Sequence, residues 1–282
     1  MANVIGVIGA GTMGSGIAQV AAVAGYGVIL YDIEAAALNR SIMQIENNLT
    51  KAIEKNKLTI EEKETALAKI KTSVDFSQLK YCTTVIEAAA ERLDIKQGIF
   101  QRLDDLLSHE SIIATNTSSL SVTVLGAATR RPDRVIGMHF FNPAHIMKLV
   151  ELIKGIETSQ TTISRITSLT KEFGKTPVLA SDTPGFIVNR IARPFYGEAL
   201  RLLGEGVAGV DEIDRIVKKS GGFKMGPFEL MDLIGIDINF SVSKSVYEQF
   251  FHEPRYRPHP IQRQMVDANL LGRKTGKGFY EY

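Results

Sequence analysis

Val4-Ile5-Gly6-Val7-Ile8-Gly9-Ala10-Gly11-Thr12-Met13-Gly14 decides the fold. Val4 to Ile8 is a short apolar run with the length and β-branched content of a buried strand. It passes directly into Gly9-Ala10-Gly11-Thr12-Met13-Gly14, a GxGxxG. Ser15 to Ala24 is Ala-rich and apolar, the pattern of a packed helix. Gly9 permits a tight turn, Gly11 lets a pyrophosphate approach the backbone, and Gly14 lets the helix pack close to the sheet. The free N–H groups of the helix start, with Thr12 and Met13 in its first turn, then face the phosphates. Val28 to Tyr31 is a second strand, and Asp32 at its end can accept hydrogen bonds from both hydroxyls of an adenosine ribose. A 2′-phosphate would bring a negative charge against that carboxylate, so the motif favours NAD over NADP. Flavoproteins use the same fingerprint, and FAD stays open on the motif alone.

The chain has 282 residues, room for one large or two ordinary domains. Its 44% apolar content and mean hydropathy of +0.02 are those of a packed domain. A net charge of +2, from 33 basic and 31 acidic residues, argues against a nucleic-acid binder with a broad basic face. Cys82 is the only cysteine, which excludes intrachain disulfides and a multi-cysteine metal site. It is expected as a partly buried small side chain rather than a reactive thiol. No basic segment precedes an apolar one at the N-terminus, so no signal peptide is visible and a cytoplasmic protein is expected. The apolar stretch from Gly16 to Tyr31 is interrupted by Gln19, Gly25 and Gly27. It falls short of the roughly 18 apolar residues of a membrane helix and reads as helix, turn and strand.

Residues 34–71 differ in character. Ile42, Ile45, Leu49 and Ile53 recur at helical spacing among many Lys and Glu, and Thr59-Ile60-Glu61-Glu62 is a capping box. Two helices are expected, forming an antenna that stands off the sheet. Its charge run is either a solvated surface or a receptor for an anionic ligand arm. Thr84 to Glu87 resumes the sheet. A helix follows over about Glu91 to Leu107, with Leu93, Phe100, Leu103, Leu106 and Leu107 as its buried set. Further strands are expected at Ser111–Thr115, Val135–Met138, Leu149–Ile153 and Pro177–Ala180, with a helix over 160–173. This succession predicts an α/β fold with a Rossmann-type doubly wound sheet. Thr183-Pro184-Gly185 breaks the pattern, and helices are expected over Phe186–Leu203 and from Asp211 onward. The tail Gly272-Arg273-Lys274-Thr275-Gly276-Lys277-Gly278 lacks the GxxxxGK[ST] spacing of a P-loop. The expected organisation is a nucleotide-binding domain over 1–184 with a helical hairpin insertion, then an all-helical domain over 185–282. The second is expected to bury an apolar face against another copy of the chain.

Met138-His139-Phe140-Phe141-Asn142-Pro143 puts a histidine at a strand end, where open α/β sheets hold their ligands. Glu151 lies twelve residues on, and the Asn142-Pro143 turn can bring the two together. A carboxylate beside His139 would set its tautomer and stabilise its protonated form, as a general base for a hydroxyl proton requires. On spacing alone a structural histidine is the commoner reading, and the nucleotide site beside it brings the two level. Asn116-Thr117-Ser118-Ser119 is either a helix N-cap turn or a hydroxyl donor to a substrate oxygen. Asn189, among Ile187, Val188 and Ile191, is either bonded internally or faces a cleft.

Taken together, several segments resemble the short-chain L-3-hydroxyacyl-CoA dehydrogenases, in particular the bacterial enzymes acting on 3-hydroxybutyryl-CoA. They are Gly9–Gly16, Glu87-Ala88-Ala89-Ala90-Glu91-Arg92, Ser111–Leu120, Gly137–Pro143, Leu149-Val150-Glu151, Pro184–Arg190 and Gly276–Tyr280. The resemblance spans essentially the whole chain and implies NAD-linked interconversion of (S)-3-hydroxyacyl-CoA and 3-ketoacyl-CoA without a metal. It implies His139 as acid/base paired with Glu151, and Ser118 and Asn189 as donors to substrate oxygens, with Asn142 shaping the same site. It implies cofactor contacts from Gly9, Gly11, Thr12, Met13, Gly14, Asp32, Glu91, Lys96, Asn116 and Asn142, and CoA contacts from the antenna lysines Lys51 and Lys55. It also implies a homodimer. Gly221-Gly222-Phe223-Lys224-Met225-Gly226-Pro227 departs mildly from the family, whose members often carry a smaller residue or a histidine there. The alternatives are a dehydrogenase of a free hydroxy acid such as gulonate, which needs no CoA antenna, and a non-catalytic nucleotide-binding protein, which would tolerate loss of His139.

Overall fold

A computed structural model describes residues 4–282. The chain forms two compact units, the first ending at Thr183 and the second spanning Pro184–Tyr282. The first unit contains, in order, β1 (Val4–Ile8), α1 (Thr12–Val23), β2 (Gly27–Tyr31), α2 (Ala35–Glu54), α3 (Ile60–Ala68), β3 (Ile70–Ser73), β4 (Thr84–Glu87), α4 (Leu93–Leu106), β5 (Ile112–Thr115), α5 (Val122–Gly126), β6 (Val135–Phe140), β7 (Leu149–Lys154), α6 (Gln160–Glu172) and β8 (Thr176–Ser181). They build one sheet in the order β3-β2-β1-β4-β5-β6-β7-β8. The first six positions pair in parallel, β6 and β7 are antiparallel, and β7 and β8 are parallel. The central strands β4, β5 and β6 are buried at every residue, which is why they read as unbroken apolar runs.

The antiparallel turn of β7 has a simple cause. Only residues 141–148 separate it from β6, and a parallel crossover needs about a dozen residues or more. The resulting register sets His139 directly opposite Glu151.

Three expectations need correction. The hairpin of α2 and α3 does not stand off the sheet as an antenna. Leu38, Ile45, Leu49 and Ala66 join the same buried core as α1. Ser41 hydrogen-bonds Ser15 at 2.7 Å, and Asn48 donates to Gln19 at 3.1 Å. The expected antenna also ran through Lys71, but Ile70 and Lys71 belong to β3. That edge strand, Ile70-Lys71-Thr72-Ser73, lacks an apolar run because it is flanked on one side only, and a charged residue suits an open edge. In α4 the expected anchor Leu93 is 38% exposed in the first turn, whereas Lys96, Phe100, Leu103 and Asp104 are buried. The capping box of α3 forms as read: Thr59 Oγ1 accepts from Glu62 N at 3.1 Å, and Thr59 N donates to Glu62 at 2.7 Å.

The second unit contains α7 (Val188–Gly204), α8 (Val210–Gly221), α9 (Pro227–Ile234), α10 (Ile236–Gln249) and α11 (Pro260–Asp267). Tyr196, Leu200, Ile213, Phe228, Met231 and Ile236 form its core. Two buried carboxylates knit it. Asp214 accepts from Phe228 N and Glu229 N, and Asp232 accepts from Phe279 N and Tyr280 N, which fastens the C-terminal tail. Pro184 falls with this unit because Arg190 N bonds Gly185 O at 3.0 Å, making 184–187 the lead-in to α7. The departing segment 221–227 is the α8–α9 turn, where Phe223 stacks on Phe195 with ring centres 5.1 Å apart. Among the described residues no helix is long and apolar enough to cross a membrane.

Candidate active site

The strand order reverses between β1 and β4, and the Gly-rich loop sits at that switch point. Its glycines divide by role. Gly9 has φ +99°, and a Cβ there would lie 2.6 Å from Ala88 O. A Cβ on Gly14 would lie 1.8 Å from Gly9 O, so Gly14 is required chiefly by the loop's own closure. A Cβ on Gly11 would meet nothing within 4 Å. That open space is where backbone can be approached from outside. No side chain caps α1 at Gly11, so the helix start carrying Thr12 and Met13 lacks the usual acceptor for its first N–H groups. Asp32 closes the loop from the end of β2, its carboxylate accepting from Ala10 N at 2.7 Å and Glu34 N at 3.0 Å. These residues fit a dinucleotide: an open glycine, an uncapped helix start and a carboxylate at ribose position.

On β6, His139 is 6% exposed, and its Nδ1 lies 2.8 Å from Oε2 of Glu151, which is 1% exposed. A carboxylate is an acceptor, so Nδ1 carries the hydrogen and Nε2 becomes the basic nitrogen. Phe141 packs on the imidazole at 4.6 Å between ring centres. Asn116, at the end of β5, ties this hairpin to the sheet by accepting from Phe140 N at 2.9 Å. Asn142 is exposed in the turn that follows.

The 117–119 loop is not the N-cap of α5; Ser121 is, accepting from Val124 N. The loop is gathered instead by Glu91, which accepts from Thr117 Oγ1 at 2.5 Å, Ser118 N at 2.9 Å and Ser119 Oγ at 3.2 Å. Burial raises the Glu91 pKa, but Lys96 and these hydrogen bonds outweigh it and hold the carboxyl below its usual range. Lys96 is 1% exposed, 2.7 Å from Glu87 and 3.3 Å from Glu91. Glu87, fully buried, also accepts from Ala89 N at 2.6 Å and Thr115 Oγ1 at 2.7 Å. Sequence reading assigned no role of their own to Glu87 and Thr115, and took Thr117 only as part of a turn that caps a helix or offers a hydroxyl to substrate. The available signal was a carboxylate closing the apolar strand Thr84-Val85-Ile86-Glu87, nine residues before a lysine.

The remaining candidates belong to other elements. Lys51 and Lys55 are exposed, in the last turn and at the C-cap of α2. Asn189 belongs to the second unit, where its carbonyl accepts from Arg193 Nε at 3.1 Å. Cys82 is buried, and burial pushes its thiol up to about 12, away from reactivity. Among the described residues no group of three or more His, Cys, Asp or Glu side chains is placed to hold a metal ion.

Comparison with known proteins covers both units. The family model for the 3-hydroxyacyl-CoA dehydrogenase NAD binding domain matches residues 4–183, and that for the 3-hydroxyacyl-CoA dehydrogenase C-terminal domain matches residues 185–282. The chain is 43% identical over 278 residues to 3-hydroxybutyryl-CoA dehydrogenase of Clostridioides difficile, covering 99% of both chains. It is 45% identical to 3-hydroxyadipyl-CoA dehydrogenase of Escherichia coli (strain K12), with 99% of this chain matched but only 58% of that longer protein. The crystal structure of (S)-3-hydroxybutyryl-CoA dehydrogenase from Ralstonia eutropha superposes with a TM-score of 0.96 at 46% identity, covering 100% of this chain and 99% of that one.

Proposed function

Because this chain belongs to the 3-hydroxyacyl-CoA dehydrogenase family and is an NAD-dependent hydroxyacyl-CoA dehydrogenase, we propose that its substrate pair is (S)-3-hydroxybutyryl-CoA and acetoacetyl-CoA, with His139 as the acid/base. The observation that carries this reading is the buried His139–Glu151 pair at 2.8 Å, at the strand ends of the nucleotide-binding unit. NAD supplies the hydride acceptor in oxidation and, reduced, the donor in the reverse direction. His139 Nε2 takes the 3-hydroxyl proton, and Glu151 stabilises the imidazolium that forms; in reduction the imidazolium returns the proton. Ser118 and Asn189 orient the substrate oxygens, Asn142 borders them, and Glu91, Lys96 and Asn116 hold the cofactor-side wall. The 3-hydroxybutyryl-CoA names of the Clostridioides difficile and Ralstonia eutropha relatives support the four-carbon acyl chain. Exposed Lys51 and Lys55 are suited to the CoA phosphates, and the helical unit to pairing with a second copy. The test is NADH-linked reduction of acetoacetyl-CoA by the purified protein. Folded protein that binds NADH but does not oxidise it with this thioester, or that prefers a free hydroxy acid, overturns the reading.

Replacing Glu151 with glutamine retains a hydrogen-bond acceptor for Nδ1–H but removes the charge. Hydrogen bonds to charged groups exceed neutral ones by roughly 1–1.5 kcal/mol, so turnover falls about tenfold. The pH profile also moves, because the imidazolium loses its anionic partner. Superposable pH profiles of E151Q and parent would show that the pair is not coupled to the chemistry.

Replacing Asp32 with alanine removes both the ribose acceptor and the tie to Ala10 N. At about 1.5–3 kcal/mol for hydrogen bonds to a charged group, NADH binding weakens about 10- to 100-fold, and NADPH binding weakens much less. Dissociation constants for both nucleotides read this directly. A parent protein that holds NADPH more tightly than NADH contradicts the assigned role of Asp32.

A further inference from the structure

Lys175, just before β8, is a buried lysine for which neither the family resemblance nor the site described above has a use. It is 8% exposed, and none of the ion pairs among the described residues includes it. Its ammonium instead donates to two backbone carbonyls, Ala144 O at 2.6 Å and Met147 O at 2.8 Å. Both carbonyls lie in the 141–148 turn that joins His139 on β6 to Glu151 on β7. The turn is otherwise held at its two ends, by Phe141 packed on His139 and by Lys148 O accepting from Thr176 N at 2.8 Å. Ile146 N and Met147 N both bond Pro143 O at 3.0 Å, and Asn142, Pro143, Ile146, Met147 and Lys148 are exposed. On its other side, buried Ala144 rests on α1: a Cβ added to Gly16 would lie 3.0 Å from the Ala144 Cβ.

We propose that Lys175 is a positioning residue that clamps the 141–148 turn between its ammonium and α1, and so holds His139 in register with Glu151 beside the nucleotide loop. The proposal rests on His139 acting as the base. A charged donor is suited to the task because one ammonium ties together two carbonyls of the turn, that of buried Ala144 and that of exposed Met147. Maintaining an unpaired charge in this place is costly: burial, with Lys148 adding to it, lowers the Lys175 pKa to about 8. His145, in the same turn, is pushed down by burial and by Lys175. Lys148 donates to Gly174 O at 3.3 Å, one residue before Lys175.

The test compares the NADH-bound parent with K175M, which keeps the aliphatic stem and removes every donor. Expected for K175M are a kcat about tenfold lower per NADH-binding site, with the NADH dissociation constant within about threefold of the parent's. The acid limb of its pH profile, measured in the oxidation direction, shifts the same way as that of E151Q. Amide hydrogen exchange at Ile146 and Met147 rises about tenfold. K175Q, whose shorter stem still carries N–H donors, shows the same signature at smaller amplitude and is the variant read if K175M does not fold. A merely structural role would lower the folded fraction and leave the pH profile in place, so profiles of K175M or K175Q that superpose on the parent's overturn the proposal. A parent that does not turn over acetoacetyl-CoA overturns the functional reading instead, which keeps the two failures distinct.

Discussion

Replacing His139 with alanine lowers turnover of acetoacetyl-CoA by about 10³-fold, within the range of roughly 10²–10⁴ that a positioned general acid/base contributes. The affinity for NADH stays within a few-fold of the parent's, because the Gly9–Gly14 loop and Asp32 are built from β1, α1 and β2, which do not include His139. Alanine also leaves Glu151 buried without its principal partner, so some loss of stability accompanies the loss of rate. The two are separated by measuring turnover per NADH-binding site at a temperature where the variant is folded. Loss of less than tenfold under those conditions would remove His139 from the chemistry and revive the non-catalytic reading.

Replacing Lys96 with methionine destabilises the first unit by about 3–5 kcal/mol, the scale for removing one partner of a buried ion pair. The loss is large because Glu87 is fully buried and would be left with only Ala89 N–H and the Thr115 hydroxyl as partners. The double variant K96M/E87Q recovers much of this, since a neutral amide is far less costly to bury than a lone carboxylate. Urea unfolding without nucleotide measures both, and a K96M loss below about 1 kcal/mol would show that the pair contributes little. The substitution also acts on Glu91, whose folded-state pKa lies below its usual value with Lys96 as one cause. A lowered folded-state pKa stabilises above the ordinary carboxylate range, and that contribution disappears as pH falls through the lowered value. Without Lys96 the Glu91 value rises, so the 117–119 loop is released at a higher pH on acidification than in the parent.

The nucleotide half of the site was legible because its requirements are local. The positive φ of Gly9 and the contact of Gly14 with Gly9 O are set within one turn, Gly11 between them is left open, and Asp32 follows from the end of the very next strand. His139 and Glu151 were legible as a pair for a related reason: twelve residues and one turn separate them, too few for a crossover, so the hairpin had to bring them together. The hairpin of α2 and α3 was visible from its helical spacing and capping box, but its docking was not. Ser41 meeting Ser15, and Asn48 meeting Gln19, depend on where α2 lands on α1.

What only the tertiary structure decided is the polar framework behind those residues. Lys96 and Glu91 read as cofactor contacts in one dimension. In three, Lys96 forms a buried pair with Glu87 and also holds the more exposed Glu91, which gathers the 117–119 loop. β3 was hidden because an edge strand needs no apolar run, and Lys175 because its partners are carbonyls, which carry no side-chain signature at all. Sequence pattern specifies which residues seek burial and where the backbone must turn. A buried charge meets its partner through sheet order and strand register, which are settled by the packing of the whole unit.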